Sequence, residues 1–127
     1  MNHLILILVG MLFCHIIDDY VLQAPCLCNL KQKSWWEKNA PDQKYRHDYV
    51  VGLIVHSMSW GISITLPIIL ALKGELNWLW ILLPTNIIVH AIVDHLKANK
   101  QVINLVQDQT VHLIQIVATW LFYACYI

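Results

Sequence analysis

From Leu4 to Cys14 the chain runs without a single polar side chain, and three further stretches of similar character follow it. Any fold must therefore hide four long hydrophobic segments. Hydrophobic residues make up 58% of the 127 positions and charged residues 13%, where an ordinary soluble domain carries about 25% charged. A soluble chain this short cannot cover so much apolar surface, whereas lipid can. Helices satisfy their own backbone hydrogen bonds in hydrocarbon and open sheet edges do not. The expected fold class is therefore all-α, a polytopic membrane protein with four transmembrane helices in a small bundle.

The helices are expected over about residues 3–23, 47–72, 77–97 and 102–127, within one integral membrane domain spanning 1–127. At 1.5 Å per residue each is long enough to cross roughly 30 Å of hydrocarbon. Pro25 stops the first, Pro67 is placed to kink the second, and Pro84 lies in the first turns of the third. The turns Lys73-Gly74-Glu75 and Ala98 to Gln101 are short, which makes the last three helices antiparallel neighbours. Residues 24–46 are a polar connection with Trp35 and Trp36 at its middle. That dipeptide predicts a short amphipathic stretch in the interface, where indole rings settle at headgroup depth. Trp60, Trp78, Trp80 and Trp120 read as interface anchors too.

The first and third connections hold seven of the eight basic residues, with Lys73 alone on the opposite side. The excess of positive charge places residues 24–46 and 98–101 in the cytoplasm and both termini outside, in an inner membrane. No Lys or Arg precedes the first apolar run and no Ala-x-Ala follows it, so it reads as a retained helix rather than a signal peptide. The net charge is zero, and neither basic stripes nor aromatic RNA-reading motifs occur, which argues against a nucleic-acid partner. Cys14 and Cys125 lie in apolar stretches as small hydrophobes. Cys26-Leu-Cys28 lacks a second pair to complete a zinc ribbon.

Ionisable residues inside the helices carry the functional signal. A charge at the membrane centre costs at least roughly 2.5–3.5 kcal/mol on insertion scales, so such residues face a bundle interior and mark function. His15, Asp19 and Gln23 recur every four residues on the first helix and share a face. His90 and Asp94 do the same on the third, with Lys97 continuing that face, and Asp108 and His112 on the fourth. The second helix contributes His56. At helical rise all of them lie within about 5–15 Å of the cytoplasmic helix ends. Four helices thus bring their polar residues to one layer just below the inner headgroups.

His and Asp on facing helices are the usual way a bundle builds a metal site. The candidate ligands are His15, Asp19, His56, His90, Asp94, Asp108 and His112. Nitrogen and oxygen donors without thiolate suit zinc first, then manganese or iron. A His-x-x-x-Asp pair supplies either two ligands or one ligand and a carboxylate that orients it. A divalent ion in this layer would acidify water and polarise a phosphoryl or carbonyl oxygen, which is hydrolase chemistry. His15, Asp19, Asp94 and Asp108 are the candidate catalytic groups; Gln23, Lys97 and Gln109 are placed to meet a substrate's polar head. Asp18 is expected to cap the helix or face the headgroups while Asp19 points inward, because adjacent helical residues do not share a face. Plainer readings stand beside these. A lone His56 is commonly an interhelical hydrogen-bond partner, and Lys97 could neutralise carboxylates in a metal-free network or bind a lipid phosphate. His3 and His95 read as interfacial.

The runs His15-Ile-Ile-Asp-Asp19-Tyr-Val-Leu-Gln23, His56, His90-Ala-Ile-Val-Asp94-His-Leu-Lys97 and Asp108-Gln-Thr-Val-His112 resemble a family of small membrane proteins. It is the domain of unknown function numbered 3307, found in bacteria and their phages, and the resemblance covers nearly the whole chain. Members tend to carry a small residue where Asp18 stands, so the double Asp is a departure that leaves open which aspartate faces inward. A looser likeness to membrane-bound metal-dependent hydrolases implies hydrolysis of a lipid or lipid-linked phosphate at the inner leaflet; fold-level likeness does not fix chemistry. The alternative expectation is a non-catalytic membrane protein: a small transporter, a proton pathway, or a regulator that binds another membrane protein. A through-path needs polar residues across the full thickness, and the outer halves of these helices are nearly devoid of charge. Membrane lipids are the expected partners. Four helices enclose little volume, so a homo-oligomer is a further expectation.

Overall fold

The computed structural model describes residues 3–23, 25–72 and 79–126, and every element among them is helical. α1 (His3–Ile16) runs on into a π-helical segment, Ile17–Leu22. Two short helices follow, α2 (Cys26–Leu30) and α3 (Lys33–Asn39), then a 3-10 turn at Gln43–Tyr45. α4 spans Asp48–Ala71. α5 (Leu79–His95) continues in π geometry over Leu96–Lys100, and α6 spans Leu105–Tyr126.

The four long helices close a ring: α4 packs on α1 and α5, and α6 packs on the same two. Ile7, Met11, Trp60, Ile64, Ile68, Ile116 and Tyr123 fill the ring's interior. The outer surface carries Val9 and Phe13 on α1, Val51 and Ile62 on α4, Ile88 and Ile92 on α5, and Ile114 and Leu121 on α6, all exposed. So continuous an apolar surface is that of a protein wrapped in lipid.

Three helices, His3–Leu22, Gln43–Ala71 and Trp80–Lys100, are long and apolar enough to cross a membrane. α6 has 22 residues but a more polar composition than the expected fourth span, since Gln107, Asp108, Gln109, His112 and Gln115 dilute it. Asp108, His112, Gln115 and Thr119 are buried against the other helices, so that polarity faces inward.

Several boundaries move for local reasons. The turn expected at Ala98 to Gln101 is helical as far as Lys100. Gln101 then adopts a left-handed φ of 55°, and the Val102 amide donates back to the Leu96 carbonyl at 3.2 Å. α6 starts later than Val102 because Asn104 and Gln107 form a capping box. The Gln107 amide donates to Asn104 Oδ1 at 3.0 Å and the Asn104 amide to Gln107 Oε1 at 2.9 Å, satisfying two donors that a helix start leaves free. Lys73-Gly74-Glu75, the expected helix start at Asn77, Trp78 and Ile127 lie outside the described residues.

The connection between α1 and α4 is docked onto one end of the ring. A Cβ on Gly52 of α4 would stand 2.6 Å from the Leu30 carbonyl and 2.8 Å from the Lys31 nitrogen, so α2 and α4 touch backbone to backbone. The Trp36 indole donates to the Leu30 carbonyl at 2.8 Å and stacks on Tyr45. Asn99, in the π segment after α5, accepts from the Lys33 amide at 2.7 Å and donates to the Lys31 carbonyl at 3.0 Å. Of the other tryptophans, Trp80 is 79% exposed, as an anchor should be, but Trp60 is fully buried in the ring. Its reading as an interface anchor is therefore corrected.

Candidate metal centre

The π segment of α1 decides how the two aspartates face. Its wider turn is marked by the Gln23 amide reaching the Asp18 carbonyl, five residues back, at 3.0 Å. Asp18 turns inward and is buried. Its Oδ1 accepts from the Ser59 hydroxyl at 2.5 Å and the Ser63 hydroxyl at 3.2 Å, and its Oδ2 lies 3.7 Å from His56 Nδ1. Asp19 Oδ1 lies 3.5 Å from Nε2 of the same ring. The two neighbours share no face, yet both meet His56, whose imidazole stands between them. Asp18 does not face the headgroups.

Around His56 four donor atoms from three helices converge. His56 Nε2 is 3.5 Å from Asp19 Oδ1, 3.4 Å from Asp94 Oδ2 and 3.1 Å from His90 Nε2; His90 Nε2 is 3.8 Å from Asp94 Oδ2. Bonds of 2.0–2.1 Å to a tetrahedral zinc set neighbouring donors about 3.3–3.4 Å apart. Asp19, His56 and His90 each offer an atom within 4.8 Å of the other two, a group that could hold a metal ion, while Asp94 Oδ2 is also held by Lys31 Nζ at 2.6 Å. A second group is formed by His90, Asp94 and His112, with His112 Nε2 at 4.0 Å from Asp94 Oδ1 and 3.5 Å from Asp108 Oδ1. The His90 ring is held between Trp60 and His112, with centroids at 4.2 Å and 4.1 Å.

Six buried polar atoms in this layer receive no hydrogen bond from the described residues: Asp18 Oδ2, Asp19 Oδ1, His56 Nδ1, His90 Nδ1, Asp108 Oδ1 and His112 Nε2. An unmet buried polar group costs roughly 1–3 kcal/mol. His56 Nε2 faces the opposite problem. The Gln23 amide at 2.7 Å and His90 Nε2 at 3.1 Å both address its one lone pair.

His15 is engaged differently. The Trp60 indole, which only donates, reaches its Nδ1 at 2.9 Å. The proton therefore sits on Nε2, which donates to Gln109 Oε1 at 3.2 Å. The Gln109 amide in turn donates to Asp19 Oδ2 at 3.0 Å and Asp108 Oδ2 at 3.1 Å. Both nitrogens of His15 are committed, and the chain of donors leaves Oδ1 of each aspartate turned toward the imidazoles. Gln23 and Gln109, expected at a substrate's head, sit within the cluster itself.

The two lysines of the layer were unequal in the sequence. Lys97 Nζ pairs with Asp108 Oδ2 at 2.6 Å, as the reading of a neutralising cation anticipated. Lys31 gave no signal: it belongs to the connection, yet only 5% of it is exposed, and its Nζ lies 2.6 Å from Asp94 Oδ2. A polar trail also leads away from the layer, from His112 through the uncharged residues Gln115 and Asn86 to Thr119. His95 stacks on Tyr49 outside the cluster.

No curated protein and no solved structure matches this chain. The sequence profile described as "Protein of unknown function (DUF3307)" matches residues 7–127, and the chain belongs to that family.

Proposed function

We propose that this protein is a metal-dependent hydrolase acting on a lipid or lipid-linked phosphate at the inner leaflet. The observation that carries the reading is the group Asp19, His56 and His90, whose donor atoms lie within 4.8 Å of one another, with Asp94 Oδ2 beside it at 3.4 Å from His56 Nε2. Charge supports it. Four buried carboxylates, Asp18, Asp19, Asp94 and Asp108, face two ammonium groups, Lys31 and Lys97. Two negative charges are left over in a low-dielectric interior, where unpaired charge is strongly disfavoured, and one divalent ion, zinc in the first instance, removes the excess. Such an ion acidifies water and polarises a phosphoryl oxygen. In this reading Asp18 stands in the carboxylate position of a carboxylate–histidine–metal arrangement, its Oδ2 facing His56 Nδ1 from 3.7 Å without a hydrogen bond in this structure. His15 is a positioning residue: with Trp60 and Gln109 it fixes the carboxylates of Asp19 and Asp108. His112 and Asp108 border the same space and remain for water or a second ion.

Elemental analysis of the purified protein tests this. The parent is expected to carry about one zinc, manganese or iron per chain, and His56→Ala none. Asp18→Ala is expected to bind about 10–100-fold more weakly, the usual cost of losing an orienting carboxylate. A folded parent that stays metal-free after reloading would sink the hydrolase. The layer would then be a hydrogen-bonded or proton-carrying network. The trail through Gln115, Asn86 and Thr119 favours that second reading, but amides do not take up protons near neutral pH, and Ile7, Ile64, Ile68 and Ile116 pack the same half of the ring.

In the same reading α6 is a fourth span, the docked connection lies in the cytoplasmic interface, and both termini are outside an inner membrane, as the Lys and Arg distribution requires. Cys26 and Cys125 are exposed at opposite ends of the bundle's chain path. In a Cys14→Ser, Cys28→Ser background, an impermeant maleimide added to intact spheroplasts should label Cys125 and spare Cys26. Labelling of Cys26 alone would invert the orientation and remove the inner-leaflet site.

A further inference from the structure

The charge that calls for one ion also sets a condition on a second. Asp94 faces two ways: Oδ2 belongs to the group around His56, and Oδ1 looks toward His112 at 4.0 Å. Asp108 adds a free Oδ1 at 3.5 Å from His112 Nε2. One carboxylate between two donor groups is the form of a two-ion centre, in which ions about 3.5–4 Å apart clamp a transferring phosphoryl group. Lys31 Nζ is held by Asp94 Oδ2, the oxygen that also faces His56, and Lys97 Nζ by Asp108 Oδ2. With one divalent ion the layer is neutral. A second ion makes it positive by two unless a dianion comes with it.

A place for that dianion adjoins the lysines. A cleft of about 270 Å³ is lined by Gln23, Cys28, Lys31, Gln32, Lys97 and Gln101. Two lysines and three side-chain amides line it, and no carboxylate does. A phosphate fits the chemistry, since its oxygens accept from ammonium and amide donors alike. Lys97 is 31% exposed and lines the cleft as well as pairing with Asp108. Lys31 borders the cleft with its stem and reaches past it into the layer.

Building on the metal reading above, we infer that the layer takes a second divalent cation only together with a phosphate group. Lys31 and Lys97 leave Asp94 and Asp108 to bind that group in the cleft. In the single-ion state the two lysines supply the positive charge that a second cation would bring. In the two-ion state the carboxylates are balanced by metal and the lysines by phosphate, so the layer is neutral both times.

Manganese stoichiometry of the full chain in detergent tests this, measured by elemental analysis after desalting into matched buffer. The expected result is one ion per chain without phosphate and two with sodium phosphate or with micellar short-chain phosphatidic acid. A lower half-saturating concentration for phosphatidic acid identifies a lipid headgroup as the natural source; equal concentrations identify the free phosphate group as sufficient. Lys31→Met and Lys97→Met are expected to take the second ion without phosphate at an about tenfold lower manganese concentration than the parent. Lys97→Met alone carries the test if the buried Lys31→Met fails to fold. A parent fixed at one ion under every condition overturns this inference and leaves the single-ion hydrolase standing, as does a parent that takes two ions without phosphate. No ion under any condition overturns both.

Discussion

Asp94→Ala is expected to destabilise the protein by about 3–5 kcal/mol, the cost of removing one partner of a buried ion pair. Asp94 is buried, and its Oδ2 holds Lys31 Nζ at 2.6 Å while standing 3.4 Å from His56 Nε2. Truncation strands an ammonium group inside the protein with no other carboxylate of the described residues within 4 Å of its present position. Asp94→Ala combined with Lys31→Met should be less harmful than the single change, because an apolar pair needs no compensation whereas a lone buried charge does. The check is a double-mutant cycle on unfolding midpoints in mixed detergent micelles, followed by helical circular dichroism without added metal. Coupling of the two sites beyond about 1 kcal/mol is expected, as for residues in direct contact. Strict additivity would mean that Lys31 and Asp94 do not depend on one another, and that the lysine is not the layer's internal cation.

How far the sequence reveals this site depends on what helical periodicity can encode. His15 with Asp19, His90 with Asp94, and Asp108 with His112 are each four residues apart, so their common faces follow from 3.6 residues per turn. Their common depth follows from counting residues to the polar ends of the apolar runs. The structure brings those pairs together. Asp18 was hidden for the complementary reason: it faces inward only because residues Ile17–Leu22 adopt a π turn, and nothing in Ile-Asp-Asp-Tyr-Val-Leu marks a turn of that width. Lys31 was hidden because tertiary docking, not periodicity, carries it to Asp94 across 63 positions. Trp60 reads equally well as anchor or core within an apolar run; three surrounding imidazoles, His15, His90 and His112, settle the matter in the fold. α6, expected as a fourth span, is not among the described helices long and apolar enough to cross a membrane, and its polar side chains are spent on the interior.

Gly52→Val is expected to do comparable damage without touching a charged group. A Cβ at this position would lie 2.6 Å from both the carbon and the oxygen of the Leu30 carbonyl and 2.8 Å from the Lys31 nitrogen. These are backbone atoms of α2 and cannot yield by changing rotamer. Valine is also stiff at χ1, so its two methyl groups have nowhere to turn on a helix. Either α2 lifts from α4 or α4 bends. Lifting carries away Lys31, and with it the partner of Asp94, and it strains the Trp36 bond to the Leu30 carbonyl. Overpacking alone costs about 1–3 kcal/mol, and the broken ion pair adds to it. Gly61→Ala is the control. There the new Cβ would also come within 2.6 Å of an atom, but that atom is Ile87 Cγ1, part of a side chain rather than of the backbone, and alanine adds one carbon where valine adds three. In the same unfolding assay Gly52→Val should lose clearly more stability than Gly61→Ala, and half-buried Cys28 on α2 should become faster to label with maleimide. Equal tolerance at the two glycines would show that α2 is not seated on α4. Lys31 would then be a surface lysine, free to leave Asp94 at no cost to the fold.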